Sequence, residues 1–124
     1  ISQVSVLSHD FTFHNLLKKV AHTASILGKI RLVSDQQTLL DSSDKKSLLV
    51  IDIDGLKSKK WAELLHQINQ NARMQHAIVL FDPTHQNQTN RKILEKLAQS
   101  TKFSVFSKPV NIFKFLTKID QLSK

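Results

Sequence analysis

The 124-residue chain has no cysteine, no tyrosine and only two glycines. Without cysteine it can form no disulfide and has no thiolate chemistry. Two glycines cannot supply a glycine-rich phosphate loop, which argues against a nucleotide-binding enzyme. The longest apolar runs fall far short of the roughly 20 residues that a membrane span needs. We therefore expect one cytoplasmic domain over residues 1–124 without membrane contact, and the first residue, Ile1, predicts that it is cut from a longer protein.

Acidic residues are also scarce, since 18 Lys and Arg stand against 10 Asp and Glu, for a net charge of +8. Such an excess suits nucleic acid, an anionic surface or an acidic protein partner. The basic residues are spread along the chain, with no arginine-rich tract and no alternation with aromatic residues that could stack on bases. The pattern favours a solvated basic surface. A nucleic-acid-binding accessory domain stays an alternative that rests on charge alone.

Apolar residues follow strand-like and helix-like spacing in turn along the chain. Strands are predicted at 3–8, 29–33, 47–52, 77–81 and 103–107. The segments between them place apolar residues on one helical face, as Trp61, Leu64 and Ile68 do. Five strands alternating with about five helices predict a doubly wound α/β sandwich.

Polar residues stand at the predicted carboxyl ends of the strands, where doubly wound sheets place their sites. The apolar run SLLVID ends on Asp52, and the last predicted strand is followed by Lys108. Asp54 comes two positions after Asp52, and we expect the two carboxylates to point to opposite faces.

At these strand ends the sequence resembles the receiver domain of two-component signalling. LLVIDID is similar to the phospho-acceptor strand, with Asp52 at the acceptor position, and VFSKPVNIFKFL is similar to the last strand and helix, with Lys108 and Pro109 as the Lys-Pro pair. The resemblance covers nearly the whole chain and implies a flavodoxin-like sheet of order 2-1-3-4-5. It also implies a chemistry in which the aspartate attacks phosphorus, magnesium neutralises the transferred group and the lysine pairs with its oxygens.

The sequence departs from the receiver pattern where the family places its magnesium-binding acidic pair. Either Ser8-His9 or His9-Asp10 takes that place. Receivers place an inward apolar pair seven and eight residues after the second acid. The first alignment puts Leu16 and Leu17 at these positions, whereas the second puts Leu17 and Lys18 there and would bury the lysine. We therefore favour the first alignment. Both acids are then lost, and the six histidines show no spacing typical of metal ligands. We therefore expect neither a metal nor another cofactor.

Two further positions depart from the family. Phe81 stands where receivers have the Thr or Ser that bonds to phosphate, and Val105 where they have an aromatic residue that moves on activation. The chain thus resembles a degenerate receiver, or pseudo-receiver, such as the one in BarA/GacS-type hybrid sensor histidine kinases. This resemblance implies a non-enzymatic signalling domain that contacts other domains of a parent kinase, another signalling protein or an identical chain. The alternative is a weakly competent phospho-acceptor that uses Asp52 and Lys108.

The last predicted helix carries a candidate interface. Phe113 falls off the apolar stripe of Phe115 and Ile119, and it lies beside Lys114 and Lys118. Receivers commonly dock partners through their fourth-helix, fifth-strand and fifth-helix face. We expect Phe113, with the two lysines, to contact a partner, and the open alternative is that Phe113 packs against the sheet edge.

Overall fold

The computed structural model describes residues 3–21, 30–33, 35–41, 47–54, 56, 58–71 and 76–122. Within these residues five strands alternate with five α-helices, in the order β1 (Gln3–Leu7), α1 (Phe11–Ala21), β2 (Ile30–Val33), α2 (Gln36–Asp41), β3 (Ser47–Asp52), α3 (Ser58–Gln70), β4 (Ala77–Phe81), α4 (Gln88–Ala98), β5 (Phe103–Ser107) and α5 (Ile112–Leu122). The predicted second strand begins one residue earlier, at Lys29, which lies outside the described residues. None of the described helices is long and apolar enough to cross a membrane.

The described strands form one parallel sheet in the order β2-β1-β3-β4-β5. This confirms the predicted flavodoxin-like, doubly wound sandwich. β3 lies at the centre, between β1 and β4, with Leu7 beside Ile51 and Asp52 beside Leu80. The strand order reverses between β1 and β3, and a crevice opens beyond their carboxyl ends at such a point.

Two apolar clusters cover the two faces of the sheet. One cluster contains the buried stripe of α3, and the other contains the buried residues of α1 and α5. β3 contributes to both, with Leu49 and Ile51 in the first and Leu48 and Val50 in the second. Its apolar run is continuous because neither face meets water. Since side chains alternate along a strand, Asp52 projects to the face that α1 and α5 cover.

Polar side chains cap the first turns of four described helices, and in α2 Asp35 Oδ1 accepts a hydrogen bond from Thr38 N. Asp10 Oδ1 accepts a hydrogen bond from Phe13 N at the start of α1, and Asn87 Oδ1 accepts one from Asn90 N in α4. At the start of α5, Asn111 Oδ1 accepts from two backbone N–H groups. These bonds satisfy donors that a helix leaves unpaired at its first turn. Asp10 is therefore held at the entrance to the crevice by the helix that it caps.

Candidate functional site

Asp52 is a buried carboxylate at the carboxyl end of the central strand, and donors from three segments surround it. Ser8 Oγ donates to Asp52 Oδ2 at 2.8 Å, and Lys108 Nζ donates to the same oxygen at 2.7 Å. Asp54 N donates to Asp52 Oδ1 at 3.1 Å. Each carboxylate oxygen of Asp52 thus accepts at least one hydrogen bond, which holds the charged carboxylate in one orientation.

Lys108 is the cationic centre of this cluster. Its Nζ lies 2.9 Å from Asp54 Oδ2 and 3.8 Å from Asp10 Oδ2, in addition to its bond with Asp52. Burial by itself lowers the pKa of Lys108. The hydrogen bonds to Asp52 and Asp54 and the charges of both carboxylates outweigh burial and raise that pKa above its ordinary value of 10.5. The side chain therefore remains an ammonium at neutral pH.

The expectation that Asp52 and Asp54 point to opposite faces is wrong. Residues two positions apart in a strand lie on the same face, and Leu49, Ile51 and Ile53 share the opposite one, so the alternation itself places Asp54 on the side of Asp52. There its carboxylate reaches the ammonium that also holds Asp52. Lys108 consequently bridges two carboxylates rather than pairing with one.

Asp54 also contacts the segment that follows β4. Its Oδ1 accepts hydrogen bonds from Asp82 N at 3.1 Å and from Gln86 Nε2 at 3.2 Å. Gln86 Oε1 in turn accepts from Asn90 Nδ2 at 3.1 Å. Neither Gln86 nor Asn90 was predicted from the sequence. Their spacing of four residues allows a side-chain contact at the start of a helix, but it does not reveal that the pair reaches a site.

The residues after β1 lie at different depths. Ser8 is buried against Asp52, His9 is exposed, and Asp10 is half-buried within 3.8 Å of Lys108. Asp10, which the less favoured alignment would retain, thus faces the site. His9 lines a pocket over the strand ends together with Asp10 and Lys108.

The reason for preferring the other alignment is wrong in part. Leu16 is 37% exposed, and only Leu17 of that apolar pair is buried. α1 begins at Phe11 and turns Phe13 and Leu17 inward, at the spacing of four residues that marks one helical face. The helix therefore does not turn two successive apolar residues toward the core.

A pocket of about 310 Å³ lies over these strand ends, lined by His9, Asp10, Asp52, Asp54, Asp82, His85 and Lys108. Four carboxylates in it face one ammonium, so the pocket carries negative charge although the chain is basic. The pKa of Asp82 is lowered by the hydroxyl and then the backbone N–H of Thr84, both of which donate to its carboxylate. Asp82 is therefore ionised at neutral pH.

The carboxylate oxygens do not fit the magnesium ion that receiver chemistry requires. Magnesium needs several hard oxygen ligands in near-octahedral order. Lys108 lies between Asp52 and Asp54, and backbone and side-chain donors engage Oδ1 of Asp54 and of Asp82. Within the described ranges no group of three or more acidic or histidine side chains is arranged to hold a metal ion. As arranged, the described side chains do not form a near-octahedral set of oxygen ligands.

Phe81 and Val105 occupy a different place from Asp52. Both line a pocket of about 340 Å³ between α4 and the ends of β4 and β5, together with Leu94. Phe81 meets the site through its backbone, because its carbonyl oxygen accepts a hydrogen bond from Lys108 N at 2.8 Å. Neither apolar side chain has a donor for a phosphoryl oxygen.

Phe113 projects from the start of α5 and is 78% exposed. Lys114 is also exposed and Lys118 is half-buried. The alternative that Phe113 packs against the sheet edge is therefore wrong. A large apolar side chain thus faces solvent on α5, the helix that also carries Lys114 and Lys118.

Comparisons with known proteins bear on the fold. No protein-family model matches the sequence, and no curated protein matches it. Among solved structures, a response regulator from Colwellia psychrerythraea is similar to this chain with a TM-score of 0.63. The two share 16% sequence identity, and the similarity covers 98% of this chain and 96% of that one. The chain therefore shares the fold of that response regulator over nearly its whole length.

Proposed function

We propose that the chain is a non-enzymatic, receiver-like signalling domain that acts by contact with other proteins or domains. The observation that carries this proposal is the bridge from Lys108 to Asp52 and Asp54. An aspartate nucleophile needs an accessible oxygen, and phosphoryl transfer needs a metal on the developing charge. In this pocket the lysine, Ser8 and a backbone N–H already engage the oxygens of Asp52.

The finer assignment is a pseudo-receiver in a cytoplasmic hybrid sensor histidine kinase of the BarA/GacS type. The resemblance of the LLVIDID and VFSKPV segments supports it, together with the fold shared with a response regulator. The domain would then take part in a phosphorelay protein by docking to neighbouring domains, without carrying the phosphoryl group. The nucleic-acid alternative stays a prediction from charge alone.

A weakly competent phospho-acceptor is the second candidate, because Asp52 ends the central strand and Lys108 is within 2.7 Å of it. Beryllofluoride with millimolar magnesium distinguishes the two candidates. We expect no saturable amide shifts at Asp52, Ser8 or Lys108 in NMR spectra. Saturable shifts that disappear in the Asp52→Asn variant would establish the phospho-acceptor instead. Shifts that persist in that variant would show that the anion binds elsewhere.

The candidate interface on α5 is tested by Phe113→Ser. An exposed aromatic side chain beside Lys114 and Lys118 suits a partner surface that is apolar and acidic, because aromatic residues anchor interfaces and opposite charges orient them. We expect the variant to lose at least about tenfold in affinity for the remainder of the parent protein, or in self-association, measured by sedimentation.

The matched control for that experiment is Leu16→Ser, which removes another partly exposed apolar side chain from a different helix. We expect it to bind as the unaltered chain does. Equal losses in both variants, or no loss in either, would show that Phe113 is not part of the interface.

A further inference from the structure

A chain of polar contacts leads from the strand-end pocket to the first turn of α4. Lys108 Nζ lies 2.9 Å from Asp54 Oδ2, and Asp54 Oδ1 accepts from Gln86 Nε2 at 3.2 Å. Gln86 Oε1 accepts from Asn90 Nδ2 at 3.1 Å, which completes the path from β5 through the turn after β3 to α4. We call these four residues the Asp54 network.

The amide side chains of this network are buried, although most of α4 faces solvent. Gln86 and Asn90 are each 8% exposed, and the buried residues of α4 are Asn90 and Leu94. The helix is therefore attached to the sheet by few buried side chains, and one of them is a member of the network. A buried amide that loses its partner costs about 1–3 kcal/mol, so the first turn of α4 depends on where Gln86 finds its acceptor.

Asp54 is the point at which the pocket and the helix share a group. One oxygen of its carboxylate faces the ammonium, and the other accepts from Gln86 and from Asp82 N. A carboxylate is rigid and planar, so a change in the position of one oxygen moves the other. The orientation of Asp54 is therefore set jointly by the ion pair with Lys108 at Oδ2 and by the hydrogen bonds that Oδ1 accepts.

We propose that the Asp54 network couples the ammonium of Lys108 to the first turn of α4, so that displacing this ammonium loosens the helix. The inference rests on the proposed function, and it names the helix through which a pocket without phosphoryl chemistry reaches a partner. The side chains of Phe81 and Val105 are apolar and can form no hydrogen bond along this route, whereas each link of the network is a polar side-chain contact.

The test measures amide hydrogen exchange in the 124-residue chain, with no metal or phosphodonor added. Lys108→Met removes the ammonium and keeps much of the side-chain volume. We expect the amides of residues 88–92 to exchange about tenfold faster, the effect of losing roughly one hydrogen bond, relative to the amides of α3 in the same sample. Lys108→Met in a Gln86→Leu background is expected to change the ratio of the α4 to the α3 exchange rates by less than about twofold. Gln86→Leu has already removed the hydrogen bond between Gln86 and Asp54.

Gln88→Leu is the matched control, since Gln88 is an exposed glutamine in the same turn. In that background Lys108→Met should still accelerate exchange in α4. The proposal is overturned if α4 responds equally in the Gln86→Leu background, or if it does not respond to Lys108→Met at all. Gln86→Met, which keeps the length and removes both polar atoms, replaces Gln86→Leu if the latter does not fold. A phosphorylated Asp52 would refute the proposed function and leave this result unchanged.

Discussion

Lys108→Met is expected to lower the free energy of unfolding by about 3–5 kcal/mol at neutral pH, measured by urea denaturation. The variant leaves Asp52 and Asp54 side by side without the cation that lies within 3 Å of both. Removing one partner of a buried ion pair is costly because the remaining charge is neither paired nor hydrated. Here two carboxylates would remain, and they would also repel each other.

Lys114→Met is the control for that measurement, because Lys114 is an exposed lysine a few residues along the same segment. Surface substitutions of this kind change stability by about 0.5 kcal/mol or less. If Lys108→Met cost no more than Lys114→Met, the bridge would contribute little, and Asp52 would have to be stabilised by Ser8 and backbone donors.

The bridge also has a signature in the alkaline range. Since Asp52 and Asp54 raise the pKa of Lys108, the folded chain holds that proton more tightly than the unfolded chain does. The stabilisation is complete below the ordinary pKa of 10.5 and is lost as the pH rises through the higher folded value. The stability difference between the original chain and Lys108→Met should therefore shrink above that range, a change that a purely steric effect of methionine would not produce.

The sheet could be predicted because its strands carry their own signal. The runs 47–52 and 77–81 are apolar at nearly every position, and this requires cover on both faces. The same runs locate their carboxyl ends, so Asp52 and Lys108 could be assigned to one edge of a parallel sheet. The pairing of these two residues then follows from charge and proximity.

The rest of the site depends on details that periodicity does not contain. Alternation places Asp54 on the same side of β3 as Asp52, but whether its carboxylate comes within 2.9 Å of Lys108 depends on the backbone after the strand, which periodicity does not describe. The contact between Asp54 and Gln86 joins residues 32 positions apart. Leu16 lies near the boundary of an apolar face, where one residue of rotation separates burial from exposure.

Phe115 and Phe113 lie two positions apart on α5. We expect Phe115→Ala to lower the free energy of unfolding strongly and Phe113→Ala to leave it almost unchanged. Phe115 is fully buried, and its ring meets those of Phe13 at 5.6 Å and Phe106 at 6.3 Å, both edge to face. Removing a buried phenyl ring costs about 3–5 kcal/mol through lost transfer free energy and the cavity that remains. Phe113→Ala should change the free energy of unfolding by about 0.5 kcal/mol or less, because its ring contributes little to the core.

Urea denaturation of the two variants therefore separates the part of α5 that stabilises the fold from the part available to a partner. The free energy of unfolding should fall with urea concentration at the same slope in both variants. This slope depends on the surface that unfolding exposes, and neither substitution changes that surface by more than a small fraction. If Phe113→Ala were to cost more than about 2 kcal/mol, a range typical of buried apolar residues, Phe113 would belong to the core. The loss of binding expected for Phe113→Ser would then report unfolding instead of a lost contact. If Phe113→Ala barely changes the free energy of unfolding and Phe115→Ala lowers it strongly, the loss of binding in Phe113→Ser can be attributed to the surface of α5 itself.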